Sequence, residues 1–409
     1  MSTSKNGTLR HPRRARWAAM LAFATNGALP ASLLARYAEV KAELGVDTAF
    51  FGLIVAGYAL GGMVALHLPG VITRWIGVAR AASFGTVWIG AALVLAAAGV
   101  AVTNPWLVLL GLVLAGCGDA VVDVAQNSQG IRVQQAYGRS LLNSMHAGWS
   151  IGAALGGAVG TAAAVAGVPL LTHIGIWAGL CVIMMTLAAR GFLPESRLPS
   201  APDDAGTSPA PESSVPASAP APSRARMVLI LLPLVLIAVA GISVEDIGTN
   251  WSAVLLSGER GMSAESAGIG LTVLLGAQFV GRLLGDRVID ALGQRRTLLM
   301  SLSAVVLGLL GAAWAPSITL TLTALALAGL GCAVTVPIAY ARADAVPGLA
   351  AHSGVTWISW TMRTVSIGLS PAIGATSSAF SLPAALTGVT LIALAALTLQ
   401  VFRRPGARG

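Results

Sequence analysis

The chain has 409 residues, of which 56% are apolar and only 10% are charged, and it carries a formal net charge of +9. A soluble domain is about a quarter charged because its surface meets water, so most of this surface meets lipid instead. The basic excess is almost all arginine, placed at the chain ends and in short gaps between apolar runs, and this excludes a nucleic-acid partner, which would need a basic domain.

Apolar runs of about 20 residues read as membrane-spanning helices, and twelve are expected. The basic stretch Arg10-His-Pro-Arg-Arg-Ala-Arg16 precedes an apolar run towards Tyr37 with no Ala-x-Ala site. It therefore predicts a first span at 15–37 rather than a signal peptide. Further spans are expected at 48–69, 80–101, 106–127, 140–166 and 169–190. Residues 193–224 then break the pattern, with eight of the chain's 20 prolines among Ala, Ser and Asp, a composition that cannot pack a core. Six more spans follow at 226–250, 263–284, 297–315, 318–340, 352–378 and 382–402. The expected organisation is a tail (1–14), a six-helix bundle (15–192), a disordered linker (193–224), a second six-helix bundle (225–404) and a short tail (405–409).

Arginine sets the orientation. Arg74 and Arg80, Arg132 and Arg139, Arg287, Arg295 and Arg296, and Arg342 fall in alternate connections, as do the Arg-bearing ends and linker. Positive charge stays on the cytoplasmic side, so both termini are expected there, in a bacterial-type plasma membrane. Trp17, Trp106, Trp177 and Trp314 fall near span ends, where the indole favours the interface. Cys117, Cys181 and Cys332 lie within apolar runs and read as small packing residues; no metal or cofactor site is expected.

The two halves repeat. Leu112-Val-Leu-Ala-Gly-Cys-Gly-Asp-Ala-Val121 matches Leu325-Ala-Leu-Ala-Gly-Leu-Gly-Cys-Ala-Val334 at seven of ten positions. Ser150-Ile-Gly152 recurs as Ser366-Ile-Gly368, and Gly77 with Arg80 recurs as Gly293 with Arg296. Three matches in order, at nearly constant offset, predict a parallel six-plus-six repeat.

That arrangement resembles the major facilitator superfamily. The loop after the second span, where that family carries Gly-xxx-Asp-Arg-x-Gly-Arg-Lys, reads Gly70-Val-Ile-Thr-Arg74-Trp-Ile-Gly77-Val-Ala-Arg80, with Arg74 at the Asp position. The second copy, Asp286-Arg-Val-Ile-Asp290-Ala-Leu-Gly293-Gln-Arg-Arg296, keeps the acid as Asp290. The resemblance implies a cytoplasmic gate at these residues, with the carboxylate capping a helix or pairing with arginine. Two further segments are similar to the fucose-permease-like branch that includes YbjJ-type inner-membrane proteins. The first comprises Asp123-Val-Ala-Gln-Asn127, Gly138-Arg139 and His146-Ala-Gly-Trp149-Ser-Ile-Gly152. The second comprises Glu245, Asn250-Trp251-Ser252 and Gly281-Arg-Leu-Leu-Gly-Asp-Arg287. Asn250 and Gln134 stand where that branch has Asp and Glu. The resemblance implies a transporter and leaves the cargo open.

Charges inside the spans are the candidate site, because a carboxylate in hydrocarbon needs a partner, a cavity or a proton. Asp119, Asp123, Glu245 and Asp246 fall well inside. Asp119 and Asp123 with His146 read either as a proton relay or as packing and solvation near the inner mouth. Glu245 is expected to face the cavity with Asp246 behind it, since neighbours on a helix point about 100° apart. Arg363, near mid-span, reads as a substrate anchor or as the ion-pair partner of an acid of the seventh span. Trp149, Trp357 and Trp360 could stack on a sugar ring, and Asn26 and Gln278 could add hydrogen bonds. No HExxH, P-loop or GxSxG pattern occurs, so no enzyme is expected. A monomeric, proton-coupled transporter of a sugar-like or anionic solute and an exporter of drugs or metabolites both fit. A receptor or scaffold that transports nothing would leave the buried charges without purpose.

Overall fold

The computed structural model describes residues 12–65, 67–138, 141–194, 224–344, 346 and 353–402, and every described element is helical. Only helices or closed barrels satisfy their backbone groups inside a bilayer, and this chain takes the helical solution. The first half runs α1 (Pro12–Leu34), α2 (Tyr37–Leu44), α3 (Thr48–Val64), α4 (Leu68–Ile76), α5 (Val78–Ala101), α6 (Pro105–Tyr137), α7 (Leu142–Val165) and α8 (Leu170–Ala189). The second half runs α9 (Arg224–Asp246), a π-helical turn (Ile247–Trp251), α10 (Ser252–Arg260), α11 (Ile269–Leu292), α12 (Gln294–Trp314), α13 (Ile318–Cys332), α14 (Thr335–Asp344), α15 (Ser353–Ala379) and α16 (Leu382–Phe402).

Among the described residues, ten helical segments are long and apolar enough to cross a membrane, and the α3–α4 pair, bent by 59°, makes an eleventh. α15 completes the twelve by its 27-residue length, although Ser, Thr and Arg363 keep it less apolar. Three helix starts on the side away from the chain ends are capped by side chains. Asp47 accepts from the Phe50 amide (2.7 Å), Asn104 from Trp106 and Leu107 (3.1 and 3.2 Å), and Ser317 from Leu320 (3.3 Å).

Each half is a six-span bundle. In the first, α1 packs on α7 and α8, and α6 packs on α3 and α5; in the second, α13 packs on α11 and α12, and α9 on α14, α15 and α16. The sequence repeat has a packing cause. A Cβ at Gly116 would collide with the Tyr58 carbonyl oxygen, and one at the matching Gly329 with that of Leu274. The same small-residue position brings α6 onto α3 and α13 onto α11. The halves meet through α3 against α15 and α7 against α11.

The helix directions alternate, so Pro12 and Phe402 lie on one side, here the terminal side, together with Arg74, Arg80, Arg132, Arg287, Arg295, Arg296 and Arg342. Trp17, Trp106 and Trp314 are exposed near helix ends, but Trp177 is partly buried and donates its Nε1–H to the Ala28 carbonyl at 3.0 Å. The three cysteines are free and buried. Residues 12–14 of the expected N-terminal tail open α1; the rest of that tail, the C-terminal tail and nearly all of the linker lie outside the described residues, as does Arg139.

Several spans run past their expected ends. α6 continues to Tyr137 and α11 to Leu292, because polar residues on a helix facing a cavity or the interface do not stop it. The eighth span is therefore shifted inward from 263–284, which moves Arg282 from its expected edge into its interior.

Candidate functional site

A cavity of about 260 Å³ lies between the two halves. Asp119 of α6, Tyr58 of α3 and Trp149 of α7 line it from the first half, and Glu245 and Asp246 of α9 from the second. The rest of its wall is largely apolar, including Pro30, Leu34, Val55, Ala59, Ile242 and Leu275.

Each carboxylate is held by its own half. Asp119 Oδ1 accepts from Asn26 Nδ2 at 3.1 Å, and the Tyr58 hydroxyl makes a second side-chain hydrogen bond to it. Asp246 accepts from Asn250 Nδ2 at 2.9 Å and from Ser370 Oγ at 2.9 Å, while Ser370 also receives the Trp251 indole N–H at 3.0 Å. Glu245 Oε1 accepts from Arg282 Nη2 at 2.7 Å and from Gln278 Nε2. Arg282 reaches on with Nη1 to Ser150 Oγ of α7. This chain of contacts crosses from one half to the other. The π-helical turn directly after Asp246 sets these groups: Thr249 Oγ1 back-bonds to the Glu245 carbonyl at 2.7 Å. Such bulges in an α-helix are frequent at functional sites. The turn begins at the end of the Gly241–Gly248 segment, whose two glycines weaken the helix.

Two further cavities lie beside the first. One, of about 320 Å³, shares Tyr58, Asp119 and Ser366 with it and extends to Met63, Tyr340 and Arg363, towards the terminal side. The other, also about 320 Å³, is lined by His146, Arg282, Asp286 and Tyr340. On the opposite side the halves close on each other. A Cβ on Gly52 would meet the Ser370 carbonyl oxygen at 2.6 Å and one on Gly374 the Thr48 carbonyl oxygen at 2.6 Å. The Ala49 amide donates to Ser378 Oγ at 2.9 Å, and Phe51 meets Trp251 edge-on at 6.1 Å.

Asp119, Glu245, Asp246 and Trp149 thus come together in one cavity. Other candidates fall elsewhere. Asn26 is 3% exposed and Gln278 fully buried, so they hold the carboxylates from behind and line none of the three cavities. Trp357 and Trp360 are 54% and 48% exposed and line none of the three cavities, because their face of α15 turns outward. Arg363 is exposed in the neighbouring cavity, within Coulombic reach of Asp119, and is not the partner of Glu245 or Asp246. Asp123 bonds along its own helix, accepting from Asn127 Nδ2 at 2.8 Å and Gln126 Nε2 at 3.4 Å. His146 packs edge-on against Phe23 at 5.1 Å, and among the described residues no hydrogen bond joins it to Asp119 or Asp123.

At the expected gate, Gly77 and Gly293 take the same left-handed φ (83° and 78°) between paired helices, with Gly70 in the preceding α4. Arg74, Arg80, Asp290 and Arg296 are exposed, and Asp286 is exposed beside the His146 cavity. Asp290 lies in the last turn of α11 and does not cap α12, whose N-cap is Gly293. The residues missed from sequence were Arg282, Tyr58, Ser150 and Ser370. Arg282 stood inside the quoted Gly281–Arg287 segment, and a longer eighth span would have flagged it; a lone Ser or Tyr on an apolar helix carries no such signal.

A Major Facilitator Superfamily profile matches residues 17–371. An uncharacterized MFS-type transporter of Yersinia pestis is 29% identical over 267 residues, covering 63% of this chain and 62% of that protein's own length. An uncharacterized transporter of Sinorhizobium fredii is 27% identical over 353 residues, covering 85% and 88% respectively. The fold is similar to a crystal structure of the nucleoside transporter NupG (TM-score 0.71, 13% identity, 95% and 98% of the two chains). It is likewise similar to a D-xylose-proton symporter (TM-score 0.70, 12% identity, 96% and 98%). The E. coli fucose:proton symporter FucP aligns at TM-score 0.55 with 16% identity, over 97% and 99%.

Proposed function

This chain belongs to the Major Facilitator Superfamily, and on that premise we propose that it is a proton-coupled secondary transporter that carries a small polar solute through the plasma membrane by alternating access. The observation that carries this reading is the cavity between the halves, walled by Asp119 on one side and by Glu245 and Asp246 on the other. Ionised carboxylates are costly at this depth, so each favours a proton, a cation or a hydrogen-bond donor in the cavity. A solute and a proton bound at one interface both bias the rocking of the two halves, which is how a gradient of one drives the other. The terminal side carries the clustered arginines and is assigned to the cytoplasm. The closed far side and the cavities leading to the terminal side support an inward-facing conformation. One chain supplies both walls, which supports a working monomer.

The structural neighbours include transporters named for nucleosides, D-xylose and fucose, two of them proton symporters. They support polar metabolites as the starting panel. The test is a solute-library thermal-shift screen on the purified chain, followed by uptake of any stabilising solute into proteoliposomes under an imposed pH gradient. Gradient-driven accumulation supports the reading. A stabilising solute that never crosses the vesicle membrane under any gradient would mark a receptor instead.

A further inference from the structure

We propose that the transported solute is a compact protonated amine, bound at Asp246 and Glu245 in place of a proton, so that solute and protons are exchanged in opposite directions. The inference rests on the transporter reading and names its cargo. Its basis is the charge and polarity of the central cavity.

Three carboxylates line that cavity, and among the described residues no Arg, Lys or His lines it. The nearest cations lie on its terminal side: Arg282 pairs with Glu245 at 2.7 Å, and Arg363 lines the adjoining cavity within Coulombic reach of Asp119. Asp246 is the carboxylate that, among the described residues, has no cationic partner: it accepts from the neutral Asn250 and Ser370. Three acids against two arginines, with Asp123 adding to the negative field at Asp119, leave an excess of negative charge in a largely apolar enclosure, which an ammonium or a proton at Asp246 lowers. Both satisfy the same group and exclude each other, so the two ligands compete.

The neutral groups argue the same way. A polyhydroxylated solute needs many donors and acceptors facing it, yet Asn26 and Gln278 are buried behind the carboxylates they hold. Asn250 and Thr249 also spend hydrogen bonds within their own segment. What faces the cavity besides the acids is mostly aliphatic, with the rings of Tyr58 and Trp149. Aliphatic walls, aromatic faces and an uncompensated carboxylate together fit an ammonium group on a small apolar body. An anionic solute would add charge of the sign already in excess.

The experiment uses the purified full chain and a graded panel of primary amines from ethanolamine to 2-phenylethylamine, each beside the alcohol and the carboxylic acid of the same skeleton. Binding is read as a rise in melting temperature, which follows mass action. At mildly alkaline pH at least one amine should stabilise the protein while its alcohol and acid do not. The stabilisation should shrink on acidification, as protons take the site. Asp246→Asn should weaken that amine at least about tenfold, the loss of one charge-assisted contact, and Glu245→Gln less so because Glu245 already shares its charge with Arg282. In proteoliposomes, adding the amine outside should drive protons out of the lumen through the wild-type chain. An alcohol or acid that binds as well as its amine, an amine whose binding strengthens on acidification, or full affinity in a folded Asp246→Asn protein would each overturn the proposal. So would an amine panel with no binder, or stabilisation by sodium alone that depends on Asp246. A sugar or nucleoside that binds and drives proton movement would sink this proposal and leave the transporter reading standing.

Discussion

Glu245 and Arg282 form the contact on which most of the local chemistry depends. Their side chains are 30% and 21% exposed, so water reaches the pair and its Coulomb energy is modest. The larger cost arises when one member is removed and the other stays in an apolar enclosure. Arg282→Ala should therefore destabilise the chain by about 1–3 kcal/mol, the price of an unpaired polar group, and lower its melting temperature in detergent. Adding Glu245→Gln should restore most of that loss, because nothing charged is then left behind. A double variant no more stable than Arg282→Ala would show that the arginine acts through Ser150 and not through the pair. Asp119 tests another function. Held by Asn26 and Tyr58, it faces both the central cavity and the Arg363 cavity, which suits a group that accepts a proton from one side and passes it on. Asp119→Asn should abolish transport driven by a pH gradient while sparing exchange of solute for solute, measured as counterflow with equal pH on both sides.

Helix contacts set the conformational state. On the far side α3 and α15 touch through glycine, so Gly52→Leu should wedge them apart and shift the population towards the outward-open state. The check is thiol labelling of a cysteine placed at Ser378 in a background lacking Cys117, Cys181 and Cys332, which should speed up in the Gly52→Leu protein. Unchanged labelling would mean that the α7–α11 contact holds the seal alone. Inside a half, Gly116→Val should cost about 1–3 kcal/mol by overpacking α6 on α3, visible as a lower melting temperature. The helices and their repeat were legible in the sequence because lipid demands long apolar runs and close packing demands glycine at fixed places. The site was half legible. Buried acids announce themselves by their cost in hydrocarbon, so Asp119, Glu245 and Asp246 stood out. Which way a side chain turns depends on helix rotation, so an apolar period does not reveal that Trp357 and Trp360 turn outward while Arg363 lines the adjoining cavity. The π-helical turn at Ile247–Trp251 adds a local rotation that no apolar period reveals. Arg282 was lost to a span end set too early.

The chain divides into two bundles that repeat one plan, and between them runs a stretch whose composition cannot pack. We expect that cutting within 193–224 leaves halves that reassociate when co-expressed, through the α3–α15 and α7–α11 faces. Halves that never co-purify would count against an autonomous six-span unit. The same division explains why the carboxylates matter as a set. Asp119 belongs to one bundle and Glu245 with Asp246 to the other, so neutralising the cavity changes the balance between its open and closed forms. The most direct test is lumenal pH in proteoliposomes when a library of polar solutes and amines is added outside, with wild-type protein beside an Asp119→Asn/Asp246→Asn variant. At least one solute should move protons through the wild-type chain, and the same solute should move none through the variant. Proton movement that persists in the folded variant, or that no solute elicits from the wild-type chain, would contradict coupling through these carboxylates.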